Sequence, residues 1–329
     1  FDNTLVTGGQ NSYFGGAVRR VSKVDGVLKG ITLTGNLSLS AGSTYEKSEG
    51  DNDAYVNYGG IVGSLAGTCT GCNLTESGKT FFYGNKIGSD VYHNHFHTQN
   101  VGGIAGEIAK DGVVSNCNNY AAVTFCQYNG GVVGGDNKDI SRYLYGGGIA
   151  GQISGELSNC TMYGSISNTS SCLVQYIGGV VGNVQATASV HSCATNMGTK
   201  VNAATIGIGY SQARDNKIGG IIGVTYSTDL SNLTNNAELS CTRMNNYSTA
   251  TLSMGGVVGK IAATNGEING NGTIVNKAKI ASTHGQYSIL YTAIGGVIGE
   301  AMCSVKGVVN EGDAVYNINS NDGGVYKNI

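Results

Sequence analysis

Apolar residues in this chain come in short runs of two to four, set between glycine, asparagine and serine, and nowhere do they recur at the 3.6-residue spacing of a helix. Such a pattern predicts β-strands joined by turns. The strongest regularity is a Gly-Gly-apolar-apolar-Gly pentapeptide. Its glycine pairs are Gly59-Gly60, Gly102-Gly103, Gly147-Gly148, Gly178-Gly179, Gly219-Gly220, Gly255-Gly256 and Gly295-Gly296, with a degenerate copy at Gly15-Gly16. From Gly15 to Gly295 there are seven intervals with a mean near 40 residues. A further copy, Gly130 to Gly134, falls only 17 residues before Gly147 and reads as an out-of-register loop.

About ten residues after each pentapeptide stands a second signature: Thr70-Gly71-Cys72-Asn73, Ser115-Asn116-Cys117-Asn118, Ser158-Asn159-Cys160-Thr161, His191-Ser192-Cys193-Ala194 and Ser231-Asn232-Leu233-Thr234. An alternating segment follows, as in Ala121 to Phe125 or Ala237 to Ser240. Periods of this size signal a solenoid, propeller or array. A propeller blade needs four antiparallel strands of its own, whereas about three short strands per repeat are legible here. The expected fold is therefore all-β: one domain over residues 1–329, a parallel β-helix of about eight coils, three-faced, with coils over 15–322, an N-terminal segment 1–14 and an incomplete last coil at 323–329. Glycine at a fixed place in every coil implies either a corner with positive φ or a close approach of two faces. Proline is absent, as suits strands that donate N–H groups to neighbouring coils.

Gly102-Gly103-Ile104-Ala105-Gly106, followed by Val114-Ser115-Asn116-Cys117 and an alternating strand, resembles the GLUG repeat of large secreted and surface proteins of bacteria, including the β-helical region of IgA-cleaving proteases. The resemblance spans residues 15–329 and implies an extracellular, β-helical surface protein. The chain departs from it by placing cysteine where serine is frequent and by lacking a peptidase module.

Composition narrows the function classes. Charged residues are 12% against 40% hydrophobic, so the chain has material for a core and little charge repulsion. With 19 basic and 21 acidic residues, and no basic run longer than Arg19-Arg20, nucleic acid is excluded as an expected partner. No apolar run reaches the roughly 18 residues of a membrane helix. The start at Phe1, without methionine or signal peptide, reads as a processed product.

Nine cysteines are too sparse for a disulfide scaffold. Cys72, Cys117, Cys160 and Cys193 hold equivalent places in successive coils, and a rise of about 4.8 Å lies within disulfide reach, so bridges Cys72–Cys117 and Cys160–Cys193 are open. Leu233 at the same place in the next coil favours the other reading, an inward ladder in which cysteine is a small hydrophobe. Cys69 and Cys72 form a Cys-x-x-Cys without a second pair at zinc-ribbon spacing. His93, His95 and His97 project to one side of an extended segment and could share a transition metal, or form a polar outward face. Asp51 to Asp53 and Asp136 to Asp139 could hold calcium in loops, though neither matches an EF-hand or a nonapeptide repeat.

Sequons stand at Asn36, Asn73, Asn159, Asn168, Asn232, Asn246 and Asn271, with Asn168 and Asn246 expected in accessible loops. No catalytic motif is present, and no resident cofactor is expected. These features lead to an extracellular structural protein, a non-enzymatic subunit of a surface filament, stalk or adhesin assembled head to tail with copies of itself. The alternatives are a glycan-binding surface module, whose 19 tyrosines would line one face, and a β-helical polysaccharide-degrading enzyme or protease scaffold.

Overall fold

The computed structural model describes residues 11–40, 55–75, 79–83, 98–126, 143–168, 174–206, 214–244, 250–284, 291–318 and 327–328. They form a parallel β-helix of eight coils, and no helix is long and apolar enough to cross a membrane among them. The third coil shows the plan: strands Thr98–Gly102, Ala105–Ile108, Val113–Ser115, Asn118–Asn119 and Ala122–Cys126. Each pairs in parallel with its counterparts above and below, giving five stacked sheets of nine, eight, six, eight and eight strands, here called A to E in chain order. In sheet A the register runs without slip through Tyr58, Val101, Gly146, Ile177, Ile218 and Met254. The longest insertions between coils fall at one place, after a strand of sheet E and before the next strand of sheet A, and a shorter one bulges sheet D between Asn269 and Ile274.

The expected three faces are five short strands per coil, because the glycine pair makes a re-entrant corner. None of the paired glycines has positive φ. They are required by close approach: a Cβ on Gly59 would lie 1.8 Å from the Val62 carbonyl oxygen, and one on Gly103 would lie 2.2 Å from the Gly148 oxygen of the next coil and 2.1 Å from the Asn119 side chain. The corner between A and B thus pushes inward until it touches the turn between D and E on the far side of the coil. The corner's own amides are satisfied by the next coil, as in Ile61 N–H to Ile104 O at 2.9 Å.

Positive φ sits elsewhere, between sheets C and D, at Gly71, Asn116, Asn159, Ser192 and Asn232, where it ranges from 53° to 64°. This is the residue just before each ladder cysteine or Leu233. Glycine and asparagine recur there because they accept the left-handed region at least cost.

Inside, Cys72, Cys117, Cys160, Cys193 and Leu233 form the inward ladder expected of them, each with 0% exposure. The seven cysteines whose side chains the structure describes are free thiols, so neither bridge considered above is present. Each ladder thiol instead donates to the carbonyl two residues earlier, Cys117 to Ser115 at 3.3 Å and Cys160 to Ser158 at 3.2 Å, a role Leu233 cannot fill. Gly146 interrupts the inner row of sheet A, and the Phe125 ring from sheet E occupies the space its side chain would take.

Candidate functional site

Because the A–B corner is re-entrant, the outer faces of sheets A and B face one another across a narrow trough, largely filled by their own side chains, that runs along the solenoid. One wall is the outer row of sheet A: Tyr13, Asn57, Asn100, Tyr145, Tyr176, Lys217 and Ser253. The other is the outer row of sheet B: Arg20, Ser64, Glu107, Gln152, Asn183, Val224, Lys260 and Glu300. Side chains meet across it. The Asn57 amide donates to Glu107 at 2.8 Å, Ser64 donates to the same oxygen at 2.9 Å, and the Arg20 guanidinium lies 4.9 Å above the Tyr13 ring.

In its middle coils the trough is aromatic and amide-lined. Tyr145 stacks on Tyr176 at 5.1 Å, Tyr143 lies 6.0 Å from Tyr145, and Tyr226 is 41% exposed at the rim. Opposite them, Asn183 and Gln185 both donate to the Gln152 carbonyl oxygen, at 3.2 and 3.5 Å. Burial first, and then the neighbouring Asp215 carboxylate and tyrosines, push the Tyr176 phenol well above its ordinary value. Burial does the same for Tyr145. Both phenols therefore stay neutral hydrogen-bonding groups at physiological pH. Two buried amide oxygens of the trough, Asn100 Oδ1 and Asn183 Oδ1, have no partner. A stranded buried acceptor costs about 1–3 kcal/mol, so each is a place for an ordered water or a ligand donor.

Towards the C-terminal coils the trough becomes ionic. Lys217, with a side chain only 4% exposed, lies 2.8 Å from Asp215, 3.7 Å from Glu300 and 2.9 Å from the Ser253 hydroxyl. Lys260 reaches Glu300 at 2.9 Å, and Thr251 donates to Asp215. Burial alone would raise Glu300, but hydrogen bonds from Lys260 and Ser253 and the charge of Lys217 hold it below its usual value. That is the opposite of what a proton-donating carboxyl of a polysaccharide hydrolase requires.

A second polar row crosses the interior. Asn119, Thr195, Asn235 and Asn276, all 0% exposed, sit at the D–E turn against the second glycine of each corner. Asn235 donates to Asn276 at 2.9 Å and Asn276 to Asn310 at 2.8 Å, so three rungs form one hydrogen-bonded ladder. The sequence carried a signal for it in Asn119-Tyr120-Ala121, Asn235-Asn236-Ala237 and Asn276-Lys277-Ala278, since each side-chain oxygen caps the amide two residues on. The trough had no comparable signal, because the residues that meet across it stand seven to 83 apart in the chain and only the re-entrant corner brings them together.

The remaining sequence-selected residues scatter. His93, His95, His97 and Asn246, the acidic loops at 51–53 and 136–139, and Gly130 to Gly134 lie outside the described residues. Asn36, Asn159, Asn232 and Asn271 are exposed, and Asn73 is half-buried with its amide donating to Gly71 O. Asn168 corrects its expectation: it is 1% exposed and donates to Gln175 at 2.5 Å, inside the angle between sheets E and A, where a glycan has no room. No family model, curated protein or solved structure matches the chain.

Proposed function

We propose that this β-helix is an extracellular surface module that holds a neutral glycan along its trough. The observation that carries the reading is Asn183 Oδ1, buried without a partner on the wall opposite Tyr145 and Tyr176. Sugars offer C–H faces that pack on neutral aromatic rings and hydroxyls that donate to amide oxygens, and the middle coils pair these two chemistries. The likeness of Gly102 to Gly106 and Val114 to Cys117 to GLUG repeats of bacterial surface proteins supports the extracellular setting. With no tryptophan in the chain, tyrosine fluorescence is the direct reporter. Titration with neutral oligosaccharides should change it saturably, and Tyr176→Ala and Tyr226→Ala should each weaken binding at least tenfold with the fold intact. Failure of every neutral oligosaccharide at millimolar concentration, or variants that bind like the parent chain, would overturn the reading.

Head-to-tail assembly into a filament is the second reading, favoured by the end coils. Inward positions fully buried in the middle are only partly covered there, at Val18, Leu28, Ile31 and Leu33 on one side and Ile298, Val305 and Val308 on the other. Another β-coil stacked on these positions would cover them, and a second copy of this chain provides one. Electron microscopy of concentrated protein should reveal rods longer than a single solenoid; discrete monomers at every concentration would exclude it.

A further inference from the structure

We propose that Cys69, Cys72 and Cys117 form a three-thiolate site for a soft monovalent cation, copper(I). Their sulfurs lie within 4.8 Å of one another, and all three residues are completely buried. A trigonal ion with metal–sulfur bonds of about 2.3 Å holds its sulfurs about 4 Å apart, so the thiols need to draw together by less than an ångström. Soft thiolates select copper(I) among biological cations, and three-coordinate copper(I) needs no water ligand, which suits a dry core. Tetrahedral zinc would need a fourth ligand, and the cluster offers three.

Two independent rows converge to make this cluster. Cys72 and Cys117 are adjacent rungs of the cysteine ladder. Cys69 belongs to the inner row of sheet C, where its paired neighbours are Leu28 and Val114, followed by Leu157 and Val190. That row is aliphatic except at the one coil where a thiol can reach both ladder sulfurs.

Backbone contacts fix the position of the central sulfur. The Cys72 backbone N–H donates to Cys117 Sγ at 3.3 Å, and the Cys117 thiol in turn donates to Ser115 O at 3.3 Å. On loading, copper(I) replaces the thiol protons, which pass to solvent. Complete burial means that the ion enters before the second and third coils close, during folding.

The test uses the full chain, refolded without oxygen in the presence of the acetonitrile complex of copper(I). The expected result is about one equivalent of copper retained after desalting, thiolate-to-copper charge-transfer absorption in the ultraviolet, and a melting temperature raised by several degrees. Substitutions borrowed from the same rows should keep the fold: Cys69→Val, after Val114 and Val190, and Cys72→Leu, after Leu233. Each should lower the retained copper to near zero, while Cys193→Leu leaves it at one equivalent. Copper retention by Cys69→Val equal to that of the parent chain, loss of copper in Cys193→Leu, or no retention by the parent chain would each overturn the site.

Discussion

Replacing Asn235 by leucine isolates what the buried asparagine ladder contributes, because Leu33 and Leu74 occupy the same row in the first two coils and show that leucine fits against a corner glycine. Asn235 uses its full hydrogen-bonding capacity. It donates to Asn276 Oδ1 at 2.9 Å and to Ala237 O at 3.1 Å, and accepts from the Thr195 hydroxyl at 2.7 Å and from the Ala237 amide at 3.0 Å. After substitution two of these partners keep another bond: the Ala237 amide still reaches Thr195 Oγ1 at 3.1 Å, and Asn276 Oδ1 still accepts from Ala278 at 3.3 Å. The Thr195 hydroxyl proton and the Ala237 carbonyl lose theirs in a site with no exposure. Two stranded groups cost about 2–6 kcal/mol, and the buried leucine returns about 1–2 kcal/mol, for a net loss of about 3 kcal/mol. A solenoid unfolds coil by coil, so the assay is urea denaturation combined with amide exchange in residues 194–240 and 274–280 rather than a single global midpoint. Asn119→Leu supplies the comparison. Its row neighbours are Leu74 and Met162, and it likewise strands two buried groups, Gly148 O and the Ala121 amide, so a loss of the same size, about 3 kcal/mol, is expected. A loss below about 0.5 kcal/mol for Asn235→Leu, the size of an ordinary surface change, would refute the ladder as a stabilising network.

Three other outcomes follow from the same geometry. Gly103→Ala should cost more than about 3 kcal/mol in denaturant unfolding, because its obstacle at 2.2 Å is the Gly148 backbone and cannot rotate away. Gly71→Asn should be neutral or stabilising by up to about 1 kcal/mol in the same assay, since φ is 64° there, no atom lies closer than 4.0 Å, and asparagine holds the equivalent seat at positions 116 and 159. Lys217→Met should destabilise by about 1–3 kcal/mol at neutral pH, a figure reduced for the partial exposure of Asp215 and Glu300, which it leaves facing each other. Glu300 has a depressed folded pKa, so its contribution is present above its ordinary value of 4.5 and is lost as pH falls through the lower folded value. Thermal melts from pH 7 down to pH 3 should therefore show the gap between parent and Lys217→Met narrowing; a gap that widens on acidification would contradict the ion cluster.

The repeat and the inward ladder were legible in the sequence because both are local. A coil that must stack on copies of itself repeats its turn chemistry, so the glycine pentapeptide and the Asn-Cys or Ser-Cys signature recur at a period set by one circuit of the chain. Leu233 in the cysteine row announced burial for the same reason. What those local signals could not distinguish was why each glycine is there. The paired glycines and Gly71 look alike as letters, yet the first are excluded from carrying a Cβ by neighbouring backbone and the second is selected by its φ.

Tertiary structure decided everything that depends on the direction in which the corner folds. Turned outward, the Gly59-Gly60 type of corner would have left sheets A and B as two convex faces, with Tyr145, Tyr176, Asn183 and Lys217 separately solvated. Turned inward, it packs against Asn119 and its relatives and draws those residues into one trough. The burial of Asn168 has a similar origin: a sequon is a pattern of three residues, but whether its amide meets solvent depends on Gln175 in the next coil, seven residues away along the chain and 2.5 Å away in space. Periodicity along the chain therefore determined the coil, while contacts between coils and across the pinched cross-section determined which side chains share a site.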